Sequence, residues 1–162
     1  IAVIAAGTVA ADVTGRVATW PFRAHVVGED QKYAAMRAAT VALATSGTVS
    51  TELALAGTPV VVAYRFQPLS YAIMKPFFTG KYATLFNHAA DEEIARELIQ
   101  NEATPGKLAA EVGRLLEDPA ARADQAARQT AALDRMGREG RDPSEIAAEA
   151  LLRVIQTKNA GA

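Results

Sequence analysis

The sequence predicts an α/β fold in which helices cover a parallel β-sheet. Short runs of apolar and β-branched residues alternate with longer stretches of helical character, as in strand–helix–strand units. Residues 60–62 are three valines without polar alternation, which is typical of a strand covered on both faces. With 162 residues, half of them hydrophobic, the chain is long enough for one domain with a sizeable core.

Five apolar runs are predicted as strands, and helices are predicted between them. The strands are residues 1–4, 24–27, 41–44, 59–63 and 82–85, and the helices are residues 10–19, 29–39, 49–56 and 68–78. Parallel neighbouring strands need crossover connections of this length, and a helix is the usual crossover. The pattern therefore indicates a Rossmann-like parallel sheet.

The last part of the chain is predicted to be helical. Residues 91–100, 105–117, 119–136 and 143–156 have helical character. Three of these helices are preceded by a capping residue and begin with proline: Thr104-Pro105, Asp118-Pro119 and Asp142-Pro143. We predict a Rossmann-like domain over residues 1–118 and C-terminal helices over 119–162. Because the chain opens inside a predicted strand, we expect the start of this domain to be truncated.

Composition excludes several classes of function. The chain has no cysteine, which rules out disulfides, thiolate nucleophiles and cysteine-bound zinc, and fits a cytoplasmic location. Its formal net charge of -1 provides no general field that would attract nucleic acid. The two histidines, His25 and His88, lack the spacing of a metal site. No apolar run approaches the roughly 20 residues that span a bilayer. We expect no metal, no cofactor and no nucleic-acid partner.

The turn after the third predicted strand is the strongest candidate site. The strand ends at Ala44, and Ser46, Gly47 and Thr48 lead directly into a helix. A helix start at the carboxyl edge of a sheet presents free N–H groups and a positive dipole end, which bind anions. Gly47 permits close approach, and the two hydroxyls add donors. Glu52 lies about one turn further on, near enough to accept hydrogen bonds from sugar hydroxyls. A diphosphate with a ribose suits this spacing.

A purely structural interpretation of this turn stays open. The Ser-Gly-Thr turn can serve only as a helix cap, and Glu52 can be a solvated acid near the helix start. The motif is neither a Gly-x-x-x-x-Gly-Lys-Ser/Thr loop nor Gly-x-Gly-x-x-Gly. Arg65 follows the valine-rich strand and is a second candidate, because a guanidinium there can contact a phosphate. An arginine over solvent at a strand end explains Arg65 equally well.

Residues 68–78 form the most apolar segment outside the strands, with Lys75 and Lys81 flanking its aromatic end. An amphipathic helix with a basic edge can rest on an anionic membrane surface, whereas the alternative is a helix packed in the core. The candidate membrane or acyl-chain contacts are Tyr71, Met74, Phe77 and Phe78.

Several motifs together resemble a known family. Ser46-Gly47-Thr48, Glu52 and Gly57-Thr58-Pro59 before a valine-rich strand resemble the nucleotide-binding half of GT-B glycosyltransferases that use UDP-sugars. Three further segments are similar to the lipid-A-disaccharide synthase family in particular. They are Val62-Ala63-Tyr64-Arg65, the segment from Lys81-Tyr82 to Asn87, and Glu97-Leu98-Ile99-Gln100. The resemblance covers about residues 24 to 118.

The resemblance implies a donor-binding role. The family joins UDP-2,3-diacylglucosamine to 2,3-diacylglucosamine 1-phosphate (lipid X), releases UDP and so makes a precursor of lipid A. Ser46, Gly47 and Thr48 would hold the diphosphate, and Glu52 the ribose. Asn87, expected at the carboxyl end of a strand, would reach the diphosphate or the donor sugar, and Arg65 would contact a phosphate.

The resemblance also implies a location and partners. The family's substrates are acylated, so we expect a peripheral protein on the cytoplasmic face of the inner membrane of a Gram-negative bacterium. Residues 143–156 could support a homodimer. The family's amino-terminal domain, which carries its catalytic acidic residue, is absent from this sequence, so we expect the chain to be inactive alone. Phe86 stands where the family has proline, and Asp91 where it has glycine.

Two alternatives stay open at this stage. One is another UDP-sugar enzyme of the same fold, such as the peptidoglycan N-acetylglucosaminyltransferase or a UDP-sugar 2-epimerase. The Tyr64-Arg65 pair and the segment from Tyr82 to Asn87 count against it, because they match only the lipid A family. The other is a module without catalytic activity that binds a nucleotide or acts through its terminal helices.

Overall fold

Parallel strands and crossover helices form the fold in the computed structural model, which describes residues 1–45, 47–67, 81–137 and 142–160. The strands in these ranges are β1 (Ala2–Ile4), β2 (His25–Val27), β3 (Ala42–Ala44), β4 (Val60–Tyr64) and β5 (Glu97–Ile99). The α-helices are α1 (Ala10–Val17), α2 (Lys32–Ala38), α3 (Thr48–Leu55), α4 (Leu85–Ala90), α5 (Pro105–Glu117), α6 (Pro119–Arg135) and α7 (Pro143–Ala160). The predicted α/β fold with parallel strands is confirmed.

The strands form two parallel sheets. β1 pairs with β2, with Ala2 opposite His25. β4 lies between β3 and β5, with Ala42 opposite Val60 and Val62 opposite Glu97. Since all pairs are parallel, the carboxyl ends of β3, β4 and β5 meet at one edge of their sheet. The candidate turn after β3 and Arg65 after β4 share this edge.

The core surrounds β4 on both faces, as predicted from its three valines. Val60, Val61 and Val62 are fully buried. One cluster contains Val60 and Val62 with Met36, Leu53, Phe86 and Leu133, and a second contains Val61 with Leu98 and Leu115. The helices on both faces therefore fix β4, and with it the edge at which the strands end.

Helix α2 connects the two sheets. It packs against β1, and the Thr58 hydroxyl before β4 donates a 2.6 Å hydrogen bond to the carbonyl of Met36. Met36 itself is buried against the residues around β4. This packing places the start of α2, at Lys32, beside helix α3.

Helix α6 belongs to the core as well. The Gln125 side-chain amide donates to the carbonyl of Val60 (2.8 Å), and that of Gln129 donates to the carbonyl of Thr58 (3.4 Å). Ala132 and Leu133 of the same helix are buried. The division at residue 118 stays a prediction, and the described contacts show that α6 packs directly against the sheet.

The predicted caps of the terminal helices are confirmed. The Asp118 side chain accepts hydrogen bonds from the amides of Ala120 and Ala121 at 2.9 and 3.0 Å, and the Thr104 hydroxyl accepts one from Lys107. Helix α7 leaves apolar side chains exposed, at Ile146, Leu151, Leu152, Val154 and Ile155. No described helix has the length and apolarity needed to cross a membrane. The homodimer stays a prediction.

Two predicted elements are wrong. Residues 82–85 do not form a strand, because α4 begins at Leu85, and residues 91–100 contain β5 rather than a helix. Short apolar runs do not distinguish strand from helix by pattern alone. The structure also shows where the two residues lie that differ from the family pattern. Phe86 is buried in the core. Asp91 ends α4 in the left-handed conformation (φ 51°), which glycine adopts most readily.

Candidate functional site

The turn between β3 and α3 has a backbone that favours glycine. Gly47 precedes α3 and has φ 130° and ψ -154°, a region that other residues rarely adopt. The Ser50 hydroxyl donates a 2.7 Å hydrogen bond to the carbonyl of Gly47 and so fixes the turn. Ser46 lies outside the described residues. The glycine is therefore required by the turn itself, in addition to any close approach of a ligand.

The start of α3 is exposed, and its N-cap residue, Gly47, has no side chain that could cap it. Gly47, Thr48 and Val49 are all exposed, and no side chain among the described residues, which do not include Ser46, accepts a hydrogen bond from the first turn. Helices α5 and α6, by contrast, are capped by Thr104 and Asp118. An uncapped first turn leaves backbone N–H groups directed at the solvent, where an anion can accept from them.

Glu52 lies one turn further along α3 and forms an ion pair with α2. The Lys32 ammonium is 2.8 Å from Glu52 Oε1, and the Tyr33 hydroxyl donates to the same oxygen at 3.1 Å. The Glu52 side chain is only 22% exposed, and its second oxygen, Oε2, is buried with no hydrogen-bond partner among the described residues. Glu52 is therefore a partly buried carboxylate that Lys32 and Tyr33 hold in place, and not a solvated acid.

The ion pair shifts the pKa of both partners. The hydrogen bond from Lys32 lowers the pKa of Glu52 below its ordinary value of 4.5, with a smaller contribution from Tyr33. The hydrogen bond to Glu52 raises the pKa of Lys32 above 10.5. Both groups are consequently charged across the neutral range, so that Glu52 acts only as a hydrogen-bond acceptor.

These shifts predict a pH dependence of stability. Because the pKa of Glu52 is lower in the folded than in the unfolded chain, its contribution is complete above about pH 5 and is lost as the pH falls through the lowered value. We expect Glu52→Gln to lose about 1 kcal/mol of unfolding free energy at pH 7, and less at about pH 3.5. Urea unfolding of both proteins at the two pH values measures this. An equal difference at both would contradict the assignment.

Arg65 lies at the same edge of the sheet. It follows β4 directly and is exposed. Within residues 1–45, 47–67, 81–137 and 142–160, its guanidinium has no ion pair or hydrogen bond. A free guanidinium at this edge can approach an anion bound at the start of α3.

Asn87 does not lie at the end of a strand, and this prediction is wrong. It is fully buried in α4. Its Nδ2 donates to the carbonyl of Ala95 (2.8 Å) and to Glu97 (2.9 Å), and its Oδ1 accepts from the amides of Ile94 (2.9 Å) and Ala95 (3.0 Å). The amide is used within the protein, so we interpret Asn87 as a structural residue. Its contact with a ligand stays a prediction that this geometry does not favour.

Sequence reasoning missed Lys32 and Tyr33 as members of the site. Their only signal is their place after β2, since the ends of parallel strands are where ligands bind in such folds. Their pairing with Glu52 depends on how α2 packs beside α3, which no local pattern encodes. The four candidate membrane contacts, Tyr71, Met74, Phe77 and Phe78, lie outside the described residues.

A groove between α5, α6 and the segment before β5 collects three arginines, Arg96, Arg114 and Arg128. Each forms an ion pair: Arg96 with Glu93, Arg114 with Glu111, and Arg128 with both Glu92 and Asp124. The charges of these arginines are therefore already offset by carboxylates, in contrast to that of Arg65.

The fold belongs to the α/β class in which ligands bind beyond the ends of parallel strands. Its parallel strands are joined by helices, and a glycine turn and an exposed helix start lie at their carboxyl edge. The family model described as lipid-A-disaccharide synthetase matches residues 19–151. The chain therefore belongs to the lipid-A-disaccharide synthetase family, as its motifs indicated.

Individual relatives agree with this assignment. A lipid-A-disaccharide synthase of Rhodospirillum centenum is 43% identical over 148 residues, which cover 91% of this chain and 37% of the relative. One of Paramagnetospirillum magneticum is 42% identical over 151 residues, or 92% of this chain and 39% of the relative. One of Nitrobacter winogradskyi is 39% identical, and the match covers 92% of this chain and 38% of the relative. The chain thus spans less than two-fifths of the length of these relatives.

Proposed function

We propose that this chain is the donor-binding part of a lipid-A-disaccharide synthase. The whole enzyme transfers 2,3-diacylglucosamine from its UDP donor to lipid X and releases UDP. Membership of the family and the names of the relatives support this activity. The observation that carries the proposal is the uncapped start of α3, one turn away from the partly buried carboxylate of Glu52.

The site's chemistry suits UDP. The diphosphate accepts hydrogen bonds from the N–H groups at the start of α3, where Gly47 leaves room beside the backbone, and from the hydroxyls of Ser46 and Thr48. Glu52 accepts hydrogen bonds from the ribose hydroxyls, and Arg65 offsets the charge of the phosphates. Donors directed at the departing diphosphate stabilise the negative charge that develops on UDP as the sugar transfers. This stabilisation is the contribution of the chain to catalysis.

The remaining parts of the reaction are assigned by the same proposal. The acceptor hydroxyl and the residue that activates it belong to the rest of the enzyme, so that this chain binds the donor without turning it over. Tyr71, Met74, Phe77 and Phe78 contact acyl chains or the cytoplasmic face of the inner membrane of a Gram-negative bacterium. The exposed apolar side chains of α7 support association with another protein surface, a second copy included.

Titration with UDP tests the proposal. We expect the chain to bind UDP and UDP-N-acetylglucosamine in a calorimeter, and Glu52→Ala to bind UDP about tenfold more weakly, because one charged acceptor is lost. Glu102→Ala is a suitable control, since Glu102 also pairs with a lysine (Lys107) but on an exposed surface. Absence of heat with both ligands contradicts the donor-binding role, and equal affinity in Glu52→Ala contradicts the role of that residue.

A further inference from the structure

We propose that Lys32 and Tyr33 are positioning residues that hold Glu52 so that its second oxygen, Oε2, is kept for the ribose hydroxyls. This inference rests on the proposed UDP site and adds two residues from α2 to it. Neither residue touches the ligand in this scheme. They act through the carboxylate.

Both donors converge on one oxygen of the carboxylate. Lys32 Nζ lies 2.8 Å from Oε1, and the Tyr33 hydroxyl lies 3.1 Å from the same atom. The ammonium also lies 4.6 Å from the centre of the Tyr33 ring, so that the two side chains support each other. With Oε1 held from α2, rotation of the carboxylate is restricted, and the direction of Oε2 is fixed.

Oε2 is the atom that lacks a donor. It is buried and has no hydrogen-bond partner among the described residues. A buried carboxylate oxygen without a donor is costly, and such atoms are rare in folded proteins. A ligand hydroxyl that displaces the atoms covering Oε2 supplies the missing donor, and a ribose carries two adjacent hydroxyls.

The ion pair also restricts the movement of an acceptor that is ionised at neutral pH with or without it. Lys32 and Glu52 are each less than one quarter exposed, at 24% and 22% of the side chain, so water screens the pair only in part. An ionised acceptor forms stronger hydrogen bonds with hydroxyls than a neutral one. Loss of Lys32 leaves the carboxylate ionised but free to turn away, which weakens the ribose contact and leaves the diphosphate contacts at α3 in place.

Titration with UDP and with 2′,3′-dideoxyuridine 5′-diphosphate, which lacks both hydroxyls, separates the two kinds of contact. We expect the unmodified chain to bind UDP about tenfold more tightly than the dideoxy compound. In Lys32→Met this preference falls to about twofold, while the affinity for the dideoxy compound is unchanged. Lys107→Met is the matched control, because it breaks the exposed Lys107–Glu102 pair and is expected to leave the preference intact.

Each outcome decides a different point. Equal weakening of both ligands in Lys32→Met means that the pair is structural, which overturns the inference. An unmodified chain that binds both ligands equally also overturns it but leaves the diphosphate site standing. A chain that binds neither ligand overturns the proposed function itself. If Lys32→Met unfolds, Tyr33→Phe, which removes only the hydroxyl at Oε1, is expected to lower the preference about threefold, and an unchanged preference there overturns the inference.

Discussion

Replacement of Asn87 by alanine is expected to lower the free energy of unfolding by about 4 kcal/mol, the largest loss that we expect for a polar residue of this chain. The substitution removes four hydrogen bonds and leaves the amide and the carbonyl of Ala95, both buried, without the partner that Asn87 provides. The Ile94 amide still donates to the carbonyl of Glu92, and the Glu97 carboxylate still accepts from Ala83 and Thr84. Each unsatisfied buried group costs about 1 to 3 kcal/mol, and part of this is recovered by relaxation of the turn. Urea unfolding at neutral pH measures the difference.

Two further variants separate the hydrogen bonds of Asn87 from other effects of a substitution in this helix. His88→Ala changes the next residue of the same helix, whose side chain is exposed, and is expected to change stability by less than about 0.5 kcal/mol. Asn87→Asp keeps Oδ1 as an acceptor but places a second carboxylate oxygen against Glu97, so we expect it to be destabilising as well. A loss below about 1 kcal/mol in Asn87→Ala would contradict the structural role and restore Asn87 as a candidate ligand contact.

Replacement of Gly47 by alanine is expected to weaken binding of UDP about 100-fold. A Cβ atom at Gly47 meets no atom of the described residues within 4 Å, its two chain neighbours aside, so that the expected effect does not come from a collision with them. It comes from the backbone, because φ 130° with ψ -154° is essentially restricted to glycine and costs any other residue about 1 to 3 kcal/mol. The turn relaxes away from this conformation, and the N–H groups at the start of α3 no longer converge on the diphosphate.

Gly57 supplies the matched control for this variant. It lies just beyond the other end of α3, also with positive φ (76°), and a Cβ atom there likewise meets nothing within 4 Å in the part of the chain that the structure describes, its two chain neighbours aside. Gly57→Ala is therefore expected to lose stability through the same kind of backbone strain, while its affinity for UDP stays unchanged. Calorimetric titration of both variants measures this. Equal weakening in the two would show that general destabilisation, and not the turn, limits binding.

Much of the fold could be predicted because its determinants are local. The valines of β4 required cover on both faces, and the residue–proline pairs at Thr104 and Asp118 marked helix starts that the capping hydrogen bonds confirm. These signals depend on periodicity and on the chemistry of single residues. They need no knowledge of which elements lie next to each other.

The region between Lys81 and Gln100 was predicted incorrectly because its determinants are not local. The Glu97 carboxylate accepts from the amides of Ala83 and Thr84 and from the Thr84 hydroxyl, at 2.7 to 2.9 Å. A residue of β5 thereby caps the segment before α4, and Asn87 of α4 in turn holds the turn before β5. Reciprocal contacts of this kind override the propensity of either segment alone.

The candidate site likewise has one part that could be predicted from local sequence and one part that could not. Gly47 and the helix start that follows it could be predicted from the turn sequence, since a strand, a small-residue turn and a helix occur in direct succession. The environment of Glu52 could not, because Lys32 and Tyr33 come from a different crossover and meet the carboxylate only through the packing of α2 beside α3. The turn sequence therefore predicts the proposed ligand site, and the structure adds how the Glu52 carboxylate beside it is held.

Titration of the isotopically labelled chain with UDP, followed by amide nuclear magnetic resonance, tests most directly whether the donor binds at the start of α3. We expect the largest shifts on the amides of Gly47, Thr48 and Val49, with smaller ones at Glu52 and Arg65. The groove of Arg96, Arg114 and Arg128 provides the internal comparison, because it holds cations that are already paired. Largest shifts in that groove, or none at the start of α3 at saturating UDP, would contradict binding of the donor at this turn.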